Sequence, residues 1–241
     1  MSLQGRTILI TGGGVRIGRA LALAVAQQGA DVIIHYHHSK EQAEEVQTEI
    51  QAIGRTAHLL QADLSNPRRA AQLVTRARNF GSIFALVNNA AIFEPLTFQQ
   101  TTLDDWDRHL TLNLTAPFLT SQAFATSLRP GEEGRIINIL DWRALRPAAD
   151  HFPYTVSKAA LAALTSSLAV ALAPDITVNG LALGAILPPI DGEASSTIVH
   201  NIPAGRWADI NEVGKALIFL LDGPTYITGE ILHLDGGRHL I

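Results

Sequence analysis

The chain has 241 residues, of which 47% are apolar and only 17% are charged. This length and composition suit a single domain with one large core, and they exclude a disordered chain, which is poor in apolar residues. Because 18 Lys and Arg face 22 Asp and Glu, the net charge of −4 provides no general attraction for nucleic acid or an anionic membrane. We therefore predict neither as a partner.

The complete lack of cysteine excludes disulfides, thiolate metal ligands and a cysteine nucleophile, and no metal site is predicted. No uninterrupted apolar run reaches the roughly 18 to 20 residues that a membrane span needs. Polar Gln4 and Arg6 interrupt the N-terminal stretch, which is therefore unlike a signal peptide. These features lead us to expect a cytoplasmic protein.

Short β-branched and aliphatic runs alternate along the chain with longer segments whose apolar residues have helical spacing. The predicted strands are, in chain order, Thr7–Ile10, Asp31–His35, Thr56–Gln61, Ala85–Asn88, Arg135–Leu140, Ile176–Asn179 and Ile231–Leu234. This alternation predicts an α/β fold, a single Rossmann-like doubly wound domain over residues 1–241 with a seven-stranded parallel sheet flanked by helices on both faces. Ligands bind beyond the carboxyl ends of the strands in such sheets.

The first predicted strand runs into a glycine-rich loop and then a helix. Gly12, Gly14 and Gly18 let the backbone turn tightly and approach a pyrophosphate, and the helix N-terminus supplies free N–H groups. A tight strand-to-helix turn is the plainer alternative. After the second strand come His37, His38 and Ser39, with no carboxylate before residue 41, which favours a ribose 2′-phosphate over a 2′-hydroxyl.

Tyr154 and Lys158 are four residues apart at the start of a predicted helix, so that both side chains project from one face. A phenol with its ordinary pKa near 10 is a poor acid at neutral pH, and a nearby ammonium group and a nicotinamide cation favour its ionised form. We therefore expect the pKa of Tyr154 to be lowered.

Together with Asn88-Asn89-Ala90-Ala91 at a strand end, these motifs resemble the short-chain dehydrogenase/reductase family over the whole chain. The resemblance implies a proton relay of Tyr154, Lys158 and Asn113, with Asp63 and Leu64 contacting the adenine. The implied cofactor is NADPH/NADP+, and its implied binding residues are Gly12, Gly14, Arg16, Ile17, Gly18, His37, His38, Ser39, Asp63, Leu64, Asn89, Ala90, Lys158 and Gly184.

The chain departs from the family pattern at three positions near the predicted site. Asp141 stands thirteen residues before Tyr154, where the family usually has a serine that polarises a carbonyl. A carboxylate cannot donate a hydrogen bond unless it is protonated. Arg16 occupies a usual glycine position in the loop, and Gly184 follows a leucine where the family usually has proline.

Asp141, Arg16, Phe93 and the ending 234–240 resemble the pteridine reductase branch of the family, which includes the dihydromonapterin reductases. The resemblance implies that Phe93 stacks a pterin, Arg16 faces its polar edge, and Asp141 with Tyr154 handles the proton. A carbonyl (3-oxoacyl-type) reductase and a non-catalytic NADP(H)-binding protein remain the alternatives.

Extensive apolar faces on the predicted helices Asp104–Leu128 and Tyr154–Leu172 lead us to expect a homotetramer or homodimer, because relatives associate through these helices. Residues 185–205, with Pro188, Pro189 and Gly192, are predicted to form a substrate lid. The resemblance also makes Arg238 a candidate to enter a neighbouring subunit's site.

Overall fold

In the computed structural model, which describes residues 3–188 and 199–241, seven parallel strands form one sheet. The strands are β1 Thr7–Ile10, β2 Asp31–Tyr36, β3 Ala57–Gln61, β4 Ala85–Asn88, β5 Gly134–Asp141, β6 Ile176–Leu183 and β7 Ile231–Leu234. Their order is β3-β2-β1-β4-β5-β6-β7. The order reverses between β1 and β4, so the predicted Rossmann-like fold is confirmed and its ligand crevice opens there.

Helices cover both faces of this sheet. Their bounds are α1 Arg16–Gln27, α2 Lys40–Ala52, α3 Pro67–Ala77, α4 Leu103–Leu110, α5 Ala116–Ser127, α6 Phe152–Leu172 and α7 Ile210–Asp222. The α1, α2 and α7 helices pack on one face, and α3, α5 and α6 pack on the other. Because strand side chains alternate, Ile8 and Ile10 join the first core and Leu9 joins the second.

The predicted helix Asp104–Leu128 is present as helical backbone from Leu103 to Ser127, but it is not regular throughout. A π-helical turn at Thr111–Thr115 separates α4 from α5, and it contains the buried Asn113. Periodicity alone does not reveal such a turn, because one extra residue in a helix barely changes the apolar pattern. The turn matters because it lies beside the candidate site.

The sixth strand extends four residues beyond its predicted end at Asn179, because Gly180 allows it to pack closely against β5. A Cβ at Gly180 would lie 2.6 Å from the Leu140 side chain, so the glycine admits a leucine from the neighbouring strand. The fifth strand likewise extends to Asp141. As a result, Asp141 and Leu183 are paired at the carboxyl edge of the sheet.

The α6 helix, Phe152–Leu172, is long and apolar enough to cross a membrane by length and composition alone. It packs beside β5 and β6, and Leu161, Ala162 and Ala169 on it are buried in the cores. Its apolar character thus serves, at least in part, to form a layer of the domain.

Both ends of the predicted lid are attached to the sheet. Ile186 and Ile202 are buried, and the Ala204 N–H donates a 3.0 Å hydrogen bond to the Gly236 carbonyl after β7. The central part of the lid, residues 189–198, lies outside the described residues.

Candidate functional site

The loop between β1 and α1 and the first turn of α1 are closely packed, and Gly18 in that turn leaves no space for a side chain. A Cβ on Gly18 would lie 1.9 Å from the Gly12 carbonyl oxygen, and a Cβ on Gly14 would lie 3.1 Å from the Cβ of Ala43. Gly12 itself has a φ of +63°. The loop therefore brings bare backbone and the N-terminus of α1 to the crevice, as a pyrophosphate requires.

Two side chains from neighbouring strands hold this loop in place. The ring of His35 on β2 accepts a 3.1 Å hydrogen bond from the Gly12 N–H at Nδ1 and donates a 3.0 Å bond from Nε2 to the Ala62 carbonyl. Because both nitrogens are used in these roles, the ring is neutral, and burial lowers its pKa to about 4. The sequence offered no sign of this function, since His35 reads as one more histidine before a loop.

Asn89 holds the loop from the β4 side. Its Nδ2 donates to the Thr11 carbonyl at 2.9 Å and to the Gly12 carbonyl at 3.1 Å. The backbone N–H groups of Asn89 and Ala90 both donate to the Thr11 hydroxyl, at 2.9 and 3.0 Å. Asn89 and Ala90 thus shape the crevice through the glycine loop.

Arg16 occupies a strained backbone position at the start of α1. Its φ of +49° lies in the left-handed region, where a non-glycine residue costs about 1 to 2 kcal/mol. The guanidinium crosses the crevice and donates a 2.8 Å hydrogen bond to the Pro188 carbonyl, at the beginning of the predicted lid. The position usually held by glycine therefore carries a cation at the mouth of the site, and Ile17 beside it is half-buried.

The predicted 2′-phosphate residues lie together at the end of β2. The rings of His37 and His38 are 3.5 Å apart between centroids, and Ser39 directly precedes α2. The structure also brings the Asp63 carboxylate to 3.9 Å from the His37 Nδ1, although the hydrogen bond from the Ser65 hydroxyl is the main cause that lowers the Asp63 pKa. Leu64, next to Asp63, is buried in the core.

Gly184 follows β6 and contacts the turn after β7. A Cβ there would lie 2.6 Å from the Cα of Asp235, so close packing explains this glycine. The buried Asp235 carboxylate accepts hydrogen bonds from the backbone N–H groups of Gly237 and His239, which fixes the C-terminal segment against the sheet.

Asp141 and Tyr154 meet across the gap between β5 and α6. The Tyr154 hydroxyl donates a 3.3 Å hydrogen bond to the Asp141 Oδ2, and the other carboxylate oxygen accepts the Arg143 N–H at 2.9 Å. Burial raises the pKa of Asp141, and hydrogen bonding and charge from Arg143 oppose that rise only in part. The usual hydroxyl donor is thus replaced by a carboxyl group with an increased tendency to hold a proton.

The expected lowering of the Tyr154 pKa depends in part on a nicotinamide cation, and the surroundings that the chain itself provides have the opposite effect on this pKa. Burial and the adjacent Asp141 carboxylate raise it well above its usual value of 10.0. The Lys158 ammonium lies 5.8 Å from the centroid of the Tyr154 ring and donates to the Ile139 carbonyl at 2.7 Å. Burial lowers the pKa of Lys158 to about 8, which weakens its electrostatic effect on the phenol above that pH.

The π-helical turn directs Asn113 toward the loop after β4. Its amide accepts from the Ile92 N–H at 3.0 Å and donates to the Ile92 carbonyl at 3.1 Å and to the Ser157 hydroxyl at 3.0 Å. The side chain therefore joins the catalytic helix to the segment that carries Phe93. In this structure its role is to hold these two parts together.

Phe93 is more than half exposed at the mouth of the site, with 53% of its surface accessible. One ring contact is a stack with His151 at 3.9 Å between centroids, and Tyr154 approaches edge-on at 4.7 Å. His151 directly precedes α6 with a φ of +53°. An exposed aromatic ring supported by a second ring is well suited to bind a flat ligand.

The C-terminal segment also reaches the site. The guanidinium of Arg238 lies 4.2 Å from the centroid of the Trp142 ring, and Arg146 donates a 3.1 Å hydrogen bond to the Arg238 carbonyl. Arg238 is thus placed beside Asp141 of its own chain, and its entry into a neighbouring subunit stays a prediction. No sequence pattern indicated this contact between positions almost a hundred residues apart.

The family model described as Enoyl-(Acyl carrier protein) reductase matches residues 14–239. The chain is 35% identical to the uncharacterised oxidoreductase YohF of Escherichia coli, over 97% of this chain and 96% of that protein. It is 34% identical to a 3-oxoacyl-[acyl-carrier-protein] reductase of Synechocystis, over 98% of each.

The chain belongs to the short-chain dehydrogenase/reductase family. Among solved structures, it is similar to FolM alternative dihydrofolate reductase 1 from Brucella suis in complex with NADP, with a TM-score of 0.91. That comparison has 34% identity and covers 98% of this chain and 96% of the other.

The residues of this short-chain dehydrogenase/reductase fit a dinucleotide. The close packing at Gly18 brings the glycine loop against the N-terminus of α1, where free N–H groups suit a pyrophosphate, and the two histidines offer donors for a phosphate at the end of β2. Lys158 and Tyr154 lie at the carboxyl edge of β5, at the far end of the same crevice. Most of the site residues predicted from the sequence therefore lie at the carboxyl ends of neighbouring strands, whereas Leu64, Asn89, Asn113 and Gly184 have structural contacts of their own.

Proposed function

We propose that the chain is an NADPH-dependent reductase of a pteridine ring, with a dihydropterin such as dihydrobiopterin or dihydromonapterin, or dihydrofolate, as substrate. The observation that carries this proposal is the pair formed by Asp141 and Tyr154, 3.3 Å apart, where the family usually has a serine and a tyrosine. Reduction of a ring C=N bond adds a hydride to carbon and a proton to nitrogen. A buried carboxyl group suits a nitrogen that must be protonated better than a ketone oxygen that needs a neutral donor.

When bound, NADPH supplies the hydride. The chain itself supplies the proton, and the Asp141–Tyr154 pair is where it is held. Because burial raises the pKa of Asp141, its carboxyl group keeps a proton to higher pH than an exposed aspartate does. Turnover should consequently fall as the pH rises through the pKa of Asp141, since the proton donor is then lost. Lys158, fixed by the Ile139 carbonyl, contributes a cation beneath the phenol.

The substrate platform supports the same proposal. Phe93 presents an exposed ring that His151 supports at 3.9 Å, and Arg16 brings a guanidinium group to the Pro188 carbonyl at the start of the predicted lid. A pterin has a flat bicyclic body and a polar edge of nitrogen and oxygen atoms. We propose that it stacks on Phe93 with its polar edge toward Arg16. The similarity to a FolM alternative dihydrofolate reductase is in keeping with such a substrate.

The proposed preference for NADPH over NADH depends on the end of β2. His37, His38 and Ser39 provide hydrogen-bond donors there, and the lack of an acid on β2's last residues removes the usual partner of a ribose 2′-hydroxyl. The NADP held by the Brucella relative agrees with this preference.

A second candidate is reduction of a 3-oxoacyl thioester, and the Synechocystis relative favours it. Its chemistry needs a donor to the ketone oxygen. Tyr154 alone can donate if Asp141 is ionised, whereas a protonated Asp141 can replace the missing serine only by rotating its proton toward the substrate.

The deciding experiment is a panel of substrates measured by NADPH oxidation. We expect turnover with a dihydropterin or dihydrofolate and little with a 3-oxoacyl ester, and the reverse ranking would refute the pteridine proposal. Asp141→Ser provides the matched variant, since it restores the usual family residue. It should lose pteridine turnover; a gain in both activities would remove any special role for the carboxyl group. Turnover with neither class would favour a non-catalytic NADP(H)-binding protein.

We also propose a homotetramer or homodimer that forms through the exposed apolar side chains of the α5 and α6 helices. Phe118 and Val170 are 40% and 84% exposed on these helices. Light scattering of the purified chain tests the assembly, and a monomer at micromolar concentration would contradict it.

A further inference from the structure

Arg143 is shared unequally between two carboxylates. Its Nη2 donates a 2.8 Å hydrogen bond to the Asp150 Oδ2, and its Nε donates a longer 3.4 Å bond to the other oxygen of the same group. Its Nη1 lies 3.6 Å from the Asp141 Oδ1, within ion-pair range but beyond a hydrogen bond. The guanidinium is therefore hydrogen-bonded to Asp150 and lies near Asp141 without a hydrogen bond to it.

Neighbouring side chains hold the Arg143 guanidinium in this position between Asp150 and Asp141. Its side chain is only 12% exposed, and its guanidinium lies 4.8 Å from the centroid of the Trp142 ring and 5.7 Å from that of Phe93. Asp150 also accepts a 3.0 Å hydrogen bond from the His151 Nδ1. A single exposed carboxylate therefore restrains Arg143 and the ring that supports Phe93 at the same time.

Several charged or titratable groups surround Asp141, and they come from three segments. They are Arg143, Asp150 and His151 from the segment after β5, Tyr154 and Lys158 from α6, and Arg238 from the C-terminal segment. Among these, Arg143 is the cation nearest to the carboxylate, and its position depends on a second acid. Lys158 is committed to the Ile139 carbonyl and Arg238 to the Trp142 ring.

We propose that Arg143 is a positioning residue, drawn back by Asp150, and that this restraint leaves the Asp141 carboxyl group able to accept and hold a proton rather than being locked as the ionised partner of a guanidinium. If Asp150 released it, the guanidinium would be free to form a paired hydrogen bond with Asp141 and stabilise the ionised form. This inference rests on the proposed function, in which Asp141 holds the transferred proton.

The balance of forces at Asp141 supports this role. Burial raises its pKa, and the hydrogen bond from the Arg143 backbone and the Arg143 charge are the largest opposing influences. The Arg143 guanidinium is the largest opposing influence that comes from a side chain, so its movement would change the proton occupancy of Asp141. Arg143→Gln and Asp150→Asn should shift this occupancy in opposite directions.

The test follows the ionisation of Asp141 directly, by NMR titration of ¹³C-labelled aspartate carboxyl groups without any substrate. Asp141→Asn identifies the signal. Arg143→Gln should raise the titration midpoint of Asp141 by about one pH unit, because it removes an opposite charge within 4 Å. Asp150→Asn should lower the midpoint by a similar amount.

The double variant separates positioning from a general charge effect. If Asp150 acts through Arg143, Asp150→Asn should shift the midpoint far less once Arg143 is glutamine. Additive shifts, equal shifts in one direction, or no shift in either variant would each overturn the proposal. Arg146→Gln is the matched control, since it removes a nearby guanidinium that bonds to the Arg238 carbonyl, and it should shift the midpoint less than Arg143→Gln does.

The pH dependence of kcat/KM links this restraint to the chemistry. With a dihydropterin, the loss of activity at high pH should move to higher pH in Arg143→Gln and to lower pH in Asp150→Asn. Absence of dihydropterin turnover would refute the proposed function, whereas the carboxyl titration would still decide the role of Arg143. A thermal melt of each variant verifies that the protein is folded. If Asp150→Asn does not fold, Asp150→Ala is used in its place.

Discussion

The two halves of the crevice are held together by different kinds of interaction. On the cofactor side, neutral contacts dominate, because His35 and Asn89 bind the backbone of the glycine loop and Gly18 leaves no space for a side chain. On the substrate side, the key atoms belong to ionisable side chains, with Tyr154 bonded to Asp141 and Arg143 placed between two acids. The first half is fixed in shape, and the second is adjustable in charge.

This difference has a consequence for how each half responds to change. A rigid backbone cradle loses its function when an atom is added to it. An ionisable cluster tolerates changes in shape but responds to pH and to removal of a charge, because its protonation states are coupled. Variants in the two halves should therefore separate binding from turnover.

The largest expected effect is the loss of turnover in a Tyr154 variant, and it distinguishes the substrate side of the crevice from the cofactor side. Tyr154→Phe removes the phenolic proton and leaves the glycine loop intact, so we expect turnover to fall by about 10² to 10⁴-fold. NADPH affinity should be retained when it is measured by fluorescence titration. If NADPH binding were lost as well, the two halves would not be separable.

The reverse result is expected for Gly18→Ala. A Cβ 1.9 Å from the Gly12 carbonyl forces the loop apart, and we expect the free energy of unfolding to fall by about 3 kcal/mol or more, together with NADPH affinity. Urea unfolding measures the free energy of unfolding, and fluorescence titration measures the NADPH affinity. Gly54→Ala is the control, because a Cβ at Gly54 meets open space and only the left-handed φ of +77° strains it, and NADPH affinity should be unchanged. Similar affinities in both variants would contradict the close packing.

Acid should weaken the cofactor side through His35. The pKa of His35 is about 4 in the folded chain and 6.5 in the unfolded chain. Between these two pH values, the unfolded chain therefore binds a proton at His35 that the folded chain does not bind. The stability is therefore complete above pH 6.5 and falls as the pH falls toward 4, by up to about 3 kcal/mol. Urea unfolding at several pH values measures this slope. His35→Gln should flatten it, and an identical slope in that variant would assign the effect to other groups.

The smallest expected effect concerns the choice between the two nicotinamide cofactors. NADPH should bind at least tenfold more tightly than NADH, which corresponds to about 1.4 kcal/mol. Introducing an acid by His37→Asp should reduce or reverse this ratio, because a carboxylate repels a 2′-phosphate. Equal affinities in the unaltered chain, again measured by fluorescence titration, would contradict the role of the histidine pair.

The sequence predicted the sheet well, because strands buried on both faces appear as continuous apolar runs. It also predicted the glycine loop and the Tyr154–Lys158 pair, since each depends on local spacing. It did not predict the π-helical turn at Asn113, the role of His35 or the raised pKa of Tyr154. These depend on burial and on contacts across the sheet, and spacing along the chain does not specify either.

The contact between Arg238 and Trp142 bears on how the protein should be handled. Arg238–Leu240 forms the last turn of the described chain, and Arg146 holds it against the segment that follows Asp141. The opposite terminus precedes β1 and so lies at the other edge of the sheet. We therefore expect an affinity tag to disturb substrate binding less when it is fused before β1 than when it is joined to the Arg238–Leu240 turn.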